Sequence, residues 1–216
     1  MKNRLVKKVS LIMVMTLVLF LVSVPVLKAQ ATYMSTGANM YYCSNNLLGC
    51  TGVSNITYYY DVTLMDDMYE GAIIDCLDYW KEATKYNTTN ARVSFSRVYS
   101  ESAATIVFKE QSTLPAGTST TPGYTEYYNA TRVSFDPTTL NATDFTYCTV
   151  YLKTGLSSDQ VRRTAAHEIG HCFGLQHPKN LTMVPGDHKS IMWPSNDTNF
   201  SPKPTSNDVL TLENKY

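Results

Sequence analysis

All four histidines of the 216-residue chain lie between positions 167 and 188, and three of them fall in one short pattern. It reads His167-Glu168-Ile169-Gly170-His171, continued by Cys172-Phe173-Gly174-Leu175-Gln176-His177. On a helix, a spacing of four sets His167 and His171 about 40° apart on one face, one turn from each other. Two imidazoles so placed can hold one zinc ion at about 2.0–2.1 Å per bond. Glu168, one step on, points beside the metal, where a general base could reach an attacking water. Gly174 can adopt positive φ and stop the helix, so that the chain turns back and His177 supplies a third nitrogen. Three protein ligands leave one coordination position open, which separates a catalytic zinc from a structural one. The competing reading is a helix with satisfied histidines on a polar face. Chance occurrence of the full pattern is on the order of 10⁻⁶, and packing gives no reason for the clustering.

The element that must carry this motif is a helix opened by Ser157 and Gln160, which form a capping-box pattern, and running to about Gly174. Arg163 sits four positions before His167 and faces the same cleft, while Val161, Ala165 and Cys172 fall on the opposite side as a buried stripe. A second amphipathic helix is expected from Asp66 to Lys85. Its apolar face is Tyr69, Ala72, Ile73, Cys76, Leu77, Trp80 and Thr84, with Asp75, Asp78 and Glu82 opposite. Strands are expected at Ile56–Val62, Arg92–Val98, Thr105–Lys109, Ala130–Phe135 and Phe145–Lys153, with a long loop from Gln111 to Gly123. The tyrosines of Tyr58-Tyr59-Tyr60 and Tyr127-Tyr128 fit half-buried strand positions. A short helix from Ser206 to Lys215 follows Pro202 and Pro204. The order predicts an α+β fold, one sheet packed on two long helices with a short C-terminal helix.

Composition restricts function further. Hydrophobic residues are 44% and charged residues 17%, a globular balance, and the formal net charge is +0. Residues 1–31 hold Lys2, Arg4, Lys7, Lys8 and Lys28 and no acid; without them, 13 basic side chains face 18 acidic ones, a net charge of −5. A body so charged is poorly suited to a nucleic-acid backbone. Those first residues read as a signal peptide: basic residues, an apolar run from Leu11 to Leu27, then Ala29-Gln30-Ala31. The run reaches about 25 Å, short of a typical hydrocarbon core of about 30 Å. A secreted chain beginning near Thr32 is expected, with no stable membrane insertion, an irregular leader over 32–55 and a catalytic domain over 56–216. Among the five cysteines, Cys43 and Cys50 could close a local loop; Cys76, Cys148 and Cys172 fit small core residues.

Fifteen residues beyond His177 comes Ser190-Ile191-Met192-Trp193-Pro194. Together with the extended histidine motif, this resembles the metzincin metallopeptidases, whose Met-turn follows the zinc motif in the same way. Small matrixin-like members are the nearest in pattern, through the helix ending in Trp80, Ala104-Thr105-Ile106, Ala165-Ala166, Asn207-Asp208-Val209-Leu210 and Tyr216. The resemblance covers about residues 56–216. The chain departs from that pattern at Pro178, where matrixins usually show Ser, and it has no cysteine-switch sequence. No histidine set remains for a second, structural zinc, and His188 fits a surface loop.

The resemblance implies a twisted mixed sheet and one catalytic zinc held by His167, His171 and His177. It also implies Glu168 as general base and Met192 as an apolar floor beneath the imidazoles. Arg163, Trp193 and Pro194 would line the substrate pocket, with Arg163 shortening it. Protein or peptide substrates would add as a strand to the sheet edge, for which Tyr127–Phe135 is the candidate stretch. Calcium could find oxygen ligands in Asp136 and Asp144, although no calcium-loop pattern surrounds them. A monomer is expected. The alternative is a catalytically inactive zinc-containing binding or surface protein; an intact Glu168 argues against it, because binding alone needs no general base.

Overall fold

The computed structural model describes residues 53–62, 65–86, 91–114, 121–129, 131–135, 145–177, 190–193 and 201–216. The signal segment 1–31, the leader up to residue 52 with Cys43 and Cys50, and Asp136, Asp144, Pro178, His188 and Pro194 lie outside the described residues. The fold is α+β. Six strands, β1 (Ile56–Tyr60), β2 (Phe95–Arg97), β3 (Ile106–Gln111), β4 (Gly123–Tyr128), β5 (Ser134–Phe135) and β6 (Tyr147–Lys153), form one mixed sheet of order β2-β1-β3-β6-β4-β5. β1 pairs in parallel with β2 and β3, and β3 with β6; β4 runs antiparallel to both β6 and β5. Three helices accompany it: α1 (Asp67–Thr84), α2 (Ser158–Cys172) and α3 (Ser206–Lys215).

Period-two alternation explains which side of the sheet is covered. Ile56 and Tyr60, Ile106 and Phe108, and Cys148, Val150 and Leu152 project to one side and join a core with α1 and α2. α1 opens on Asp66, whose side chain accepts from the Met68 amide at 2.8 Å, and it buries the seven residues read from its periodicity. Trp80 is the largest of them. Its Nε1 donates to the Ala166 carbonyl at 2.9 Å, and its ring meets Phe173 edge-on at 5.0 Å. Asp75, on the flank of α1, pairs with Arg162 of α2 at 2.7 Å. Tyr69 ties the same helix to the end of β6, donating to the Lys153 carbonyl at 2.7 Å. Cys76, Cys148 and Cys172 are free and buried.

The strand expected over Ala130–Phe135 is misplaced. The residues that pair with β6 are Gly123–Tyr128, and the chain then reverses, leaving β5 only two residues long. The reason lies in Asn129: its Oδ1 accepts from the Thr131 and Val133 amides at 3.0 Å each, and Arg132 takes φ 62. An Asn side chain bonded to the backbone ahead of it builds a turn in place of an extended ladder.

Candidate metal centre

α2 begins as its sequence predicts, with the Ser157 amide donating to Gln160 Oε1 at 2.9 Å. Val161, Ala165 and Cys172 are fully buried along its inner face. The helix ends two residues earlier than Gly174, and the glycine does what its type permits. It takes φ 74, its amide donates to the His171 carbonyl at 2.7 Å, and the Leu175 amide donates to the Gly170 carbonyl at 3.0 Å. This pair of bonds is the Schellman arrangement, and it turns the chain so that His177 comes back beside His167 and His171.

The three imidazoles meet nitrogen to nitrogen. His177 Nε2 lies 3.0 Å from His167 Nε2 and 3.2 Å from His171 Nε2. His167 Nδ1 lies 2.7 Å from the Ile191 carbonyl, and His171 Nδ1 lies 2.8 Å from the Leu175 carbonyl. A carbonyl can only accept, so both Nδ1 atoms carry the hydrogen and both Nε2 atoms keep a lone pair. A single hydrogen on His177 Nε2 could satisfy at most one of the two contacts. A cation between the nitrogens satisfies all three, and two nitrogens on a tetrahedral ion at about 2.0–2.1 Å stand about 3.3 Å apart. The three histidines could therefore hold a metal ion. Burial, reinforced by neighbouring imidazoles, lowers His167 and His171 to about 4, so both rings stay neutral near pH 7. Burial lowers His177 as well.

Glu168 is buried, and its carboxylate is met from β4. Thr125 Oγ1 donates to Glu168 Oε2 at 2.6 Å. Burial raises the pKa of this carboxyl, while His167 and the Thr125 bond pull it down. Gly123 permits the approach. A Cβ there would come within 2.3 Å of Thr164 Cγ2 and 3.1 Å of Glu168 Cγ, so β4 could not lie so close to α2 with a larger residue.

Met192 is fully buried against α2, the helix that carries His167 and His171. A Cβ on Gly170 would stand 2.3 Å from its sulfur, so the motif's glycine leaves the space that Met192 fills. Asp208 of α3 anchors the Met192 segment: it accepts from the Ser190 hydroxyl and, at 3.1 Å, from the Ile191 amide. Ile191 is also the residue whose carbonyl receives His167 Nδ1, so α3 is linked to the histidine through a single residue. Arg163 is half-buried on α2, one turn before His167, and Trp193 is half-buried with its amide bonded to the Ser190 carbonyl at 3.1 Å.

The structure thus brings His167, Glu168, His171, His177 and Met192 together. Thr125 was not singled out from the sequence, and Gly123, Gly170 and Asp208 were quoted there without a role at the site. For Asp208 a signal existed, an acid in the first turn of a helix after Thr205; its grip on Ile191 had none. The open side of the site follows from strand pairing. In an antiparallel ladder, alternate residues point their main-chain groups to opposite neighbours. The Lys153 amide bonds the Pro122 carbonyl, so even-numbered residues of β4 face β6. Gly123 and Thr125 then present theirs at the other edge, where no described strand pairs with them. Tyr127 and Tyr128 do have a partner there in β5, which is itself the last strand of the sheet, so the expected docking stretch Tyr127–Phe135 splits into a covered part on β4 and an outer part on β5, and Gly123 and Thr125 add a further stretch that no described strand covers. No helix among the described residues is long and apolar enough to cross a membrane. No family model matches the chain, and no curated protein matches it.

Proposed function

We propose that this chain is a secreted zinc endopeptidase of the metzincin type, in its small matrixin-like form. The observation that carries the reading is the convergence of three imidazole nitrogens beside one buried carboxylate, next to a stretch of β4 whose outer side pairs with no described strand. His167, His171 and His177 would hold the zinc, whose contribution when bound is that of a Lewis acid that polarises a carbonyl and acidifies water. Glu168 takes the proton from the attacking water as general base and delivers it to the leaving nitrogen as general acid. The substrate main chain adds to the edge of β4 at Gly123 and Thr125, where no described strand pairs, and its alternate side chains reach pockets. Met192 supports the imidazoles from below. Arg163, Trp193 and Pro194 remain the candidates for the pocket that receives the residue after the scissile bond.

Glu168→Gln tests the chemistry, because it keeps the shape of the side chain and removes the base. Cleavage of a quenched peptide by the zinc-loaded protein should fall by about 10²- to 10⁴-fold, the usual worth of a general base, while bound zinc stays at one per chain. A variant that cleaves as fast as the parent, or a parent with no chelator-sensitive cleavage, overturns the reading. The second result would leave a zinc-containing binding protein.

A further inference from the structure

We propose that Thr125 is a positioning residue for Glu168, so that β4 sets the direction of the general base as well as offering its edge to the substrate. The proposal rests on the peptidase reading for its catalytic meaning, but the contact itself does not. Thr125 Oγ1 stands 2.6 Å from Glu168 Oε2 and 3.2 Å from the Glu168 carbonyl oxygen. A hydroxyl has one hydrogen to give, and the shorter contact to a carboxylate takes it. Both residues are enclosed, with Thr125 4% and Glu168 6% exposed, so water does not compete for the bond. Among the described residues it is the only side-chain hydrogen bond to this carboxylate.

A glutamate on a helix has three rotatable bonds and several staggered arrangements. Nothing in the histidine motif selects among them. Thr125 does, because a β-branched residue in a strand has few χ1 choices and its hydroxyl direction is therefore fixed by β4. Gly123, two residues earlier on the same side of the strand, limits the carboxylate from beneath: a Cβ there would stand 3.2 Å from Glu168 Oε1. With Oε2 engaged by Thr125, Oε1 is the oxygen left to accept and return a proton. The residue whose main chain faces the side of β4 that no described strand covers thus holds the base with its side chain, which keeps the attacking group in register with a docked peptide.

Thr125→Val removes the hydroxyl and keeps shape and strand preference; Thr125→Ser keeps the hydroxyl. A hydrogen bond to a charged group corresponds to about 10- to 100-fold. In the zinc-loaded full-length protein, the valine variant should lose that factor in kcat with KM and zinc content little changed, and the serine variant should recover most of it. An unchanged kcat in the valine variant, a loss carried by KM, or a serine variant as poor as the valine one would each overturn the proposal. Thermal unfolding gives a reading that needs no activity. The Tm loss from Thr125→Val should shrink when Glu168→Ala is already present, and equal losses in both backgrounds would remove the coupling. A parent that does not cleave peptides would sink the peptidase reading while this cycle still decides whether Thr125 holds Glu168.

Discussion

Asp208 lies fully buried at the head of α3 and collects four donors: the Ser190 hydroxyl, the Ile191 amide, and the amide and hydroxyl of Thr205. A carboxylate can accept from all of them at once, and an amide cannot, since half of its polar end donates. Asp208→Asn should therefore leave at least one of these buried donors without its acceptor, at about 1–3 kcal/mol of stability. The effect should reach the metal, because Ile191 both donates to Asp208 and accepts from His167. Loss of a group that orients a ligand usually weakens affinity by about 10–100-fold. Urea unfolding and a competitive chelator titration of zinc measure the two effects separately. Lower stability with unchanged zinc affinity would show that Asp208 fixes α3 without orienting His167.

At the scale of elements, the turn after α2 decides whether His177 joins the site. Gly174 takes φ 74 and Gly155 takes φ 77. Alanine is strained in that region by about 1–2 kcal/mol. Gly174→Ala should lose that much stability and also loosen the metal, because the chain can relax only by unwinding the turn that returns His177. Gly155→Ala is the control: a Cβ there meets nothing within 4 Å, and the residue lies on the link between β6 and α2. It should lose similar stability with zinc affinity intact. Equal zinc affinity in the two variants would show that His177 does not depend on the turn. α1 and α2 were legible because their apolar residues repeat with the helical period over four or more turns. β4 was not, because Gly123 reads as the end of a loop. Its role as a core strand comes from pairing with β6 and from the closeness of α2, neither of which leaves a local pattern.

For the whole molecule, the ligands draw one helix, the turn after it, the Met192 segment and α3 into one connected unit. A metal that binds only this folded arrangement stabilises it by mass action, about 2.7 kcal/mol when free metal is 100 times its Kd. For a chain of this size each kcal/mol moves the midpoint by about 2–4 °C. Excess chelator should therefore lower Tm by about 5–10 °C, and added zinc should restore it. An unchanged Tm would mean that the histidines hold no ion that matters for the fold.

The sequence by itself determined the three histidines that could hold a metal ion, the carboxylate beside them, both long helices with their buried faces, and the glycine that ends α2. All of these are local: they depend on spacing along one helix or on the backbone freedom of one residue type. The tertiary structure alone decided that β4 begins at Gly123, that no described strand pairs with its outer side ahead of Tyr127, that Thr125 bonds Glu168, and that Asp208 bonds the residue that receives His167. Thr125 lies 43 residues from Glu168, and Asp208 reaches His167 only through Ile191, 17 residues from the one and 24 from the other; hydrogen bonds across such distances exist only once the sheet and helices have been brought together by burial of the core.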